Sequence, residues 1–210
     1  MPEIIQHTAG PYIENCWIIG SHFSKTALIL DPGFSADRIN EILHDNEWQP
    51  KAILATHAHP DHIAAAAAVQ EKHPIPFYLH PNEQAILDSL AVMSQMLGIG
   101  TGEKPQHIHW IKDNETLQFE DLKCKVIEIP GHSPGAVGFL MGKHLFCGDT
   151  LFNASVGRTD LPGGNWDRLQ NSLQKLLDLP ADTIVYPGHG EKTSIGRERD
   201  SNPYLRGLTG

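Results

Sequence analysis

Three histidines and an aspartate fall within the segment Thr56-His57-Ala58-His59-Pro60-Asp61-His62. A neutral imidazole nitrogen suits Zn, Fe or Mn, and a carboxylate adds a hard anionic oxygen. On an extended segment His57 and His59 project to the same side, whereas His62 lies at an odd step and points elsewhere. The spacing predicts two neighbouring metal sites that serve hydrolytic chemistry. The alternative is a surface patch in a chain that has 13 histidines.

The segments on either side of this motif predict where the candidate ligands lie. The apolar run Lys51–Ala55 is typical of a buried strand, and Ile63–Glu71, which contains five consecutive alanines, is typical of a helix. Pro60 restricts His59 to extended conformations, which stiffens the connection. We therefore expect the ligands on a strand-to-helix loop.

Composition limits the classes of protein that this chain can belong to. Its 210 residues suit one sizeable domain, and its net charge of −9 disfavours nucleic acid as a partner. No apolar run has the length of a membrane span or a signal peptide, so we expect a soluble cytoplasmic protein with no membrane partner. The three cysteines lie in apolar runs and suit buried thiols better than disulfides. Composition gives no indication of the oligomeric state.

Periodicity predicts strands that alternate with helices. The expected strands are Asn15–Ile19, Thr26–Leu30, Lys51–Ala55, Pro76–Leu79, Lys123–Ile129, Val137–Met141, His144–Cys147 and Thr183–Tyr186. The expected helices are Ala36–His44, Ile63–Glu71, Asn82–Leu90 and Trp166–Leu177. This order favours an α/β fold with a mixed sheet covered by helices. The segment Ala91–Gln106 has weak periodicity and is either a border of the active site or a plain connector.

Three further candidate ligands each follow a predicted strand and are flanked by glycine: His132, Asp149 and His189. Between the first two, Gly142-Lys143 is predicted to form a two-residue hairpin turn, which would return Asp149 towards His132. A carboxylate has two oxygens and can bridge two ions, so Asp149 is the candidate bridge. Cys147 is a competing candidate ligand, although its surroundings alternate like those of a buried strand residue.

Taken in order, these motifs resemble the metallo-β-lactamase superfamily, whose pattern His-x-His-x-Asp-His, then His, Asp and His, is complete here. The resemblance implies a four-layer αββα sandwich of two mixed β-sheets and a dinuclear site. It implies that Asp149 bridges the ions and that Asp61 and Asp149 are catalytic. Asp31 resembles a buried acid beside the site in this superfamily, and a turn-forming role is the alternative. His107 and His109 form another alternating pair, but no Asp-His follows them, so we expect them to be ordinary strand residues. The implied ligands are His57, His59 and His132 for one ion, and Asp61, His62 and His189 for the other.

Other segments are similar to glyoxalase II, the hydroxyacylglutathione hydrolase branch, and to its short bacterial relatives. They are Gly148–Phe152, Gly131–Gly135, Gly157–Asp160 and Thr193–Tyr204. The chain ends about twenty residues after His189, so we expect a single domain over residues 1–210 without the helical C-terminal glutathione-binding domain of full-length glyoxalase II. Arg158 lies where that family has a residue that binds the glutathione carboxylate, which makes it the predicted substrate-binding residue. A local ion pair with Asp160 is the alternative.

The resemblance implies hydrolysis of a small thioester such as S-lactoylglutathione to a hydroxy acid and glutathione. Two divalent ions, with zinc first and iron or manganese as alternatives, would lower the pKa of water to roughly 7 and provide the attacking hydroxide. Ser133 and Ser155 are therefore expected to shape loops. The main rival is a glutathione-persulfide dioxygenase with one iron, which has the same ligand motifs. A lactamase, a tRNA-processing enzyme and a non-enzymatic metal-binding module are further alternatives.

Overall fold

The computed structural model describes residues 2–100 and 102–206, and its first β-sheet comes from the N-terminal half of the chain. Six strands lie in chain order: β1 (Glu3–Ala9), β2 (Glu14–Ser21), β3 (Thr26–Leu30), β4 (Gln49–Leu54), β5 (Phe77–Leu79) and β6 (Ile108–Trp110). The first three strands pair antiparallel, and the strands from β3 to β6 pair parallel. The sheet is therefore mixed.

The second sheet comes from the C-terminal half and is also mixed. Its strands in spatial order are β14 (Thr193–Ser194), β13 (Ile184–Pro187), β10 (His144–Gly148), β9 (Val137–Met141), β8 (Leu122–Glu128) and β7 (Thr116–Phe119). Only β10 and β13 pair parallel. The β9–β10 hairpin turns at Gly142-Lys143 as predicted, with Gly142 in the left-handed region that such turns require. A small separate hairpin is formed by β11 (Leu151–Phe152) and β12 (Ser155–Val156).

Helices cover the outer face of each sheet. The first sheet packs against α1 (Ala36–Asp45), α2 (Pro60–Ile63), α3 (Ala66–Lys72), α4 (Gln84–Asp88) and α5 (Leu90–Met96). The second packs against α6 (Trp166–Leu177) and α7 (Ile195–Ser201). Short 3₁₀ turns lie at Pro81–Glu83 and Pro203–Leu205. The four-layer αββα sandwich is confirmed. Within the described residues, no helix combines the length and apolar character needed to cross a membrane.

Alternation along the strands explains why two sheets can stack between helices. In β2, Trp17 faces the second sheet and packs in one core with Leu28 and Phe139. Its neighbours Cys16 and Ile18 face the helices of the first sheet instead. Successive side chains of a strand point to opposite faces, so a strand that is buried on both faces needs an unbroken apolar run. That requirement accounts for the continuous burial of β2 and β3.

The predicted helix Ile63–Glu71 is wrong in one respect that matters for the site. The structure divides it into α2 and α3, and α2 begins at Pro60. The amide of Ala65 donates to Pro32 O at 3.0 Å, so the loop after β3 takes over a bond that would otherwise extend α2. Asp61 and His62 therefore lie on a one-turn helix, and only His57 and His59 lie on the loop before it.

The predicted helix Asn82–Leu90 is also divided. The structure forms the 3₁₀ turn Pro81–Glu83, then α4, and begins α5 at Leu90. The segment Ala91–Gln106, predicted to be a loop that borders the active site or a plain connector, contains most of α5. Weak periodicity concealed this short helix because only Leu90 and Ser94 of α5 are fully buried.

Candidate metal centre

Strand ends from both sheets meet at one edge of the sandwich and deliver the predicted side chains there. The loop after β4 carries His57 and His59, and the segments after β8, β10 and β13 carry His132, Asp149 and His189. Two backbone hydrogen bonds join the sheets at this edge, from Val137 N to Thr56 O at 2.9 Å and from Asn15 N to Gly188 O at 2.7 Å. The fold thereby brings together residues that are more than 130 positions apart in the sequence.

The first cluster consists of His57, His59 and His132, whose candidate donor atoms lie within 4.8 Å of one another. All three side chains are buried. His59 Nδ1 lies 2.9 Å from His132 Nε2. His132 Nδ1 lies 2.8 Å from Arg158 O, a distance at which Nδ1–H donates to the carbonyl and leaves Nε2 unprotonated, the form in which it can bind a metal.

The second cluster consists of Asp61, His62 and His189, which meet the same distance criterion. His189 Nε2 lies 3.4 Å from Asp61 Oδ2. His62 is fully buried, whereas the side chains of Asp61 and His189 are 14% and 25% exposed. The second cluster is therefore the one that meets solvent.

Asp149 connects the two clusters. One carboxylate oxygen, Oδ2, lies 3.6 Å from His132 Nε2 and 3.5 Å from His189 Nε2. The other, Oδ1, lies 3.4 Å from His62 Nε2. His57, His62 and Asp149 form a further group that overlaps both clusters. A carboxylate with these contacts is placed to bridge two ions.

Four of the candidate donor atoms fit a metal because they have no hydrogen-bond partner in the described part of the chain. The Nε2 atoms of His57, His59 and His62 and Oδ1 of Asp149 are buried without a hydrogen bond among the described residues. Buried polar atoms are costly unless they are satisfied. Gly188 keeps the space open, since a Cβ there would lie 2.3 Å from Asp149 Oδ1 and 2.5 Å from the His62 ring. The seven residues could therefore hold two metal ions.

The two clusters differ in protonation. Burial lowers the pKa of His57 well below its usual value and that of His59 to about 3, so both imidazoles are neutral, the form that binds metal. Burial also opposes protonation of His189, but hydrogen bonds to the carboxylates of Asp149 and Asp61 raise its pKa to about 10. The pKa of His62 is also raised: its burial lowers the pKa, but the negative charges of Asp149 and Asp61 outweigh that effect.

Asp31 contacts His62 of the second cluster on the side of the ring away from the other donors. Its carboxylate is buried and accepts hydrogen bonds of 2.7 Å from both the amide and the hydroxyl of Thr56. The same carboxylate lies 3.1 Å from His62 Nδ1, where it orients that ring. Of the two interpretations of Asp31, the buried acid beside the site is the one that the contacts support.

Glu83 is a supporting residue that the sequence interpretation did not identify. It is fully buried in the 3₁₀ turn before α4. Its carboxylate accepts from Ala58 N at 2.8 Å and from Gly135 N at 2.6 Å, which joins the His57 loop to the His132 loop. Burial raises the pKa of Glu83 even though both amides favour its charged form. No local pattern distinguishes this glutamate from a solvent-facing one.

A family comparison identifies the protein class to which this geometry belongs. The model of the metallo-β-lactamase superfamily matches residues 9–189, which include all seven candidate ligands. The chain belongs to the metallo-β-lactamase superfamily.

Two curated relatives within the superfamily match almost the whole chain. A probable metallo-hydrolase, YqgX of Bacillus subtilis, is 40% identical over 95% of this chain and 96% of its own length. The hydroxyacylglutathione hydrolase GloC of Haemophilus influenzae is 34% identical over 97% of both chains.

Solved structures that resemble the chain over most of its length carry different names. BLEG-1, a B3 metallo-β-lactamase, has a TM-score of 0.88 at 40% identity and covers 99% of this chain and 100% of its own. TTHA1623, in a di-iron-bound form, has a TM-score of 0.88 at 34% identity, with 96% and 100% covered. ETHE1 from Myxococcus xanthus has a TM-score of 0.83 at 26% identity, with 98% and 85% covered.

The other candidate ligands, Cys147, His107 and His109, are not part of the two clusters. Cys147 is buried, its thiol donates to Leu151 O at 3.4 Å, and burial raises its pKa to about 12. All three cysteines are free and buried, as predicted. His109 lies in β6 and His107 directly before it, and neither is part of a donor cluster among the described residues.

Arg158 lies beside the first cluster, but its side chain points into solvent and pairs with Asp160. Its guanidinium donates twice to that carboxylate at 2.6 Å, and the side chain is 62% exposed. The local ion pair, which was the alternative interpretation, is therefore present. Its backbone carbonyl accepts from His132 and fixes the position of the residue at the edge of the site.

Proposed function

We propose that this chain hydrolyses a thioester such as S-lactoylglutathione to a hydroxy acid and glutathione at a centre of two divalent metal ions. One observation carries the proposal: two clusters of three donors share the carboxylate of Asp149, and four of their buried donor atoms lack hydrogen-bond partners among the described residues. The match to GloC along the whole chain favours an acylglutathione substrate. The proposed ligands are His57, His59 and His132 for one ion, Asp61, His62 and His189 for the other, and Asp149 for both.

Bound divalent ions would lower the pKa of a water molecule to roughly 7 and polarise the substrate carbonyl. The chain itself supplies position and charge. The side chain of Asp61 is 14% exposed and lies in the cluster that meets solvent, so it can accept a hydrogen bond from a water molecule at the entrance and orient it. Asp149 contacts His62 through one carboxylate oxygen and His132 through the other, which fixes the separation of the two clusters. We propose that these two aspartates are the catalytic residues. Zinc is the first candidate for the metal.

No side chain of the site suits the role of a covalent nucleophile. The thiol of Cys147 stays protonated at neutral pH because burial raises its pKa to about 12. Ser133 is fully buried, and its hydroxyl has no hydrogen-bond partner, and so no histidine base, among the described residues. Attack by an activated water molecule needs neither residue, and a thiolate leaves readily without an acid. Both observations favour direct hydrolysis.

In this proposal Arg158 exchanges one carboxylate partner for another. A planar guanidinium can hold a carboxylate through two parallel hydrogen bonds, which is the geometry that it has with Asp160. A carboxylate of the substrate thiol could take the place of Asp160, since an exposed ion pair contributes little stability. The substrate would then be anchored beside His132 with its thioester over the clusters.

A glutathione-persulfide dioxygenase that uses one iron is the second candidate function, favoured by the structural likeness to ETHE1. The experiment that separates the two combines metal analysis with steady-state assays. Thioester hydrolysis predicts about two ions per chain and turnover of S-lactoylglutathione without oxygen uptake. One iron per chain, together with oxygen consumption on glutathione persulfide, would replace the proposal with its rival.

A further inference from the structure

Apolar side chains border the second cluster, and the proposed chemistry does not use them. The turn between β1 and β2 lies against His189, whose Nδ1 is 3.0 Å from Tyr12 O. Glu14 forms an isolated antiparallel bridge with the same histidine. Ile13 lies between these two residues and is 66% exposed. The ring of Phe152 contacts His189 edge-on at a centroid distance of 6.3 Å.

The end of α5 extends this apolar surface. The hydroxyl of Tyr12 donates to Leu97 O at 3.0 Å, which ties the β1–β2 turn to the residue that follows α5. The preceding residue, Met96, is 82% exposed. We call Tyr12, Ile13, Met96 and Phe152 the apolar rim. Exposed apolar residues are common singly, but a group beside a reaction centre is typical of a binding surface.

The backbone of Ile13 adopts a conformation that is unfavourable for its side chain. Its φ of +56° lies in the left-handed region. A β-branched residue there is strained, whereas glycine or asparagine is accommodated easily. An exposed isoleucine gains little from burial that would offset this strain. Strained residues of this kind concentrate at functional sites.

The first cluster has a border of opposite character. His132 contacts the backbone of Arg158, and the exposed ion pair with Asp160 lies there. The centre is therefore bordered by charge beside His132 and by apolar side chains beside His189. A thioester also has two unlike halves, a thiol carrier and an acyl group. Because an anionic carrier such as glutathione suits Arg158, the acyl group is left for the other border.

We propose that the apolar rim binds the acyl group of the substrate, so that the preferred substrates are acylglutathiones with apolar acyl chains of several carbons. This inference rests on the proposed thioester hydrolysis. Burial of an isoleucine side chain against a ligand corresponds to about a tenfold change in kcat/KM. Lactoyl, which is short and carries a hydroxyl, gains less from such a surface.

The test compares Ile13→Gly and Ile13→Asn with wild-type protein on S-hexanoylglutathione and S-lactoylglutathione. We expect kcat/KM of both variants to fall about tenfold for the hexanoyl substrate. The fall in kcat/KM for the lactoyl substrate should be several times smaller. Their unfolding midpoints should not be lower than that of the wild type, because the backbone strain is relieved. Phe23→Ala is the matched control, since Phe23 is 91% exposed in the turn at the opposite end of β2 and should change neither rate.

Each result supports or overturns the inference. An equal loss for both substrates, or no loss, would show that the rim does not select the acyl group while leaving thioester hydrolysis intact. Hydrolysis of neither substrate by metal-loaded wild-type protein would overturn both proposals. A loss of activity accompanied by a lower midpoint in Ile13→Gly would assign Ile13 a folding role, and Ile13→Asn would have to reproduce the selectivity change for the inference to survive.

Discussion

The two donor clusters lie side by side but meet different surroundings. The cluster of His57, His59 and His132 is buried and contains no carboxylate of its own. The cluster of Asp61, His62 and His189 includes a carboxylate, reaches solvent and holds its histidines protonated when no metal is bound. The two clusters therefore differ in role. The buried cluster, with neutral histidines, is suited to hold an ion stably, and the solvent-facing cluster is suited to admit water and substrate.

The largest effect is expected from removal of the link between the clusters. Asp149→Ala should lower kcat by about a hundredfold or more, because bound metal supplies several kcal/mol of charge stabilisation in the transition state. Metal analysis of the variant should show loss of one or both ions. Asp149→Asn keeps the shape without the charge and should also lose turnover. Full activity and full metal content in either variant would refute the bridging role.

Substitution of a residue that orients the ligands should affect metal binding at one cluster more than at the other. Asp31→Asn should weaken binding of the second ion about 10- to 100-fold, because the buried carboxylate orients His62. The binding of the first ion should change much less. Titration of metal-free protein with zinc and a competing chelator measures both steps. An equal weakening of both would show that Asp31 acts on the whole edge.

Glu83→Gln offers the comparison on the other side, since Glu83 holds the loops of His57 and His132. An amide can accept through only one oxygen, so one of the two loops should loosen. We expect weaker binding of the first ion, about tenfold. Unaffected metal binding would confine Glu83 to folding.

The pH dependence of metal binding should also differ between the clusters. His189 has a pKa of about 10 without metal, so at pH 6 to 9 an ion must displace its proton. His62 is also protonated without metal, so binding of the second ion displaces up to two protons, and its affinity should fall by up to about a hundredfold for each unit by which the pH is lowered. His57 and His59 are already neutral in this range, so they add no such slope. Calorimetric titrations at pH 6, 7 and 8 would show equal slopes for both ions if this difference were absent.

The smallest effect concerns the charged border. Arg158→Ala should raise the Michaelis constant for acylglutathiones several-fold, by removing an exposed charge-assisted contact, with little change in kcat. An uncharged thioester such as an acyl-N-acetylcysteamine is the control substrate and should be unaffected. An identical change for both substrates would argue against a carboxylate clamp.

Much of this site could be predicted from sequence, because the ligands follow buried strands at a shared sheet edge. Strands β3 and β9 and helix α6 begin and end where periodicity predicted, since each has strong apolar spacing and flanking turn residues. The break between α2 and α3 could not be predicted, because it depends on Pro32, which is distant in sequence. Glu83 was missed for the same reason, as its partners lie in two other loops.

The border of the site was the hardest part to predict. Arg158 and Asp160 are close in sequence, so their ion pair was anticipated as an alternative, and the contacts establish it. The approach of Tyr12 to His189 and to Leu97 joins positions separated by more than eighty residues. Side chains that choose a substrate are set by such long-range contacts and lack the regular spacing that marks strands, helices and ligand motifs.

The most direct test of a two-ion hydrolytic centre is stepwise reconstitution of metal-free protein with zinc, with S-lactoylglutathione hydrolysis measured at each step. A centre in which Asp149 joins two clusters predicts little activity after the first equivalent and full activity after the second. Full hydrolytic activity at one equivalent, or activity only with a single iron and oxygen, would contradict it.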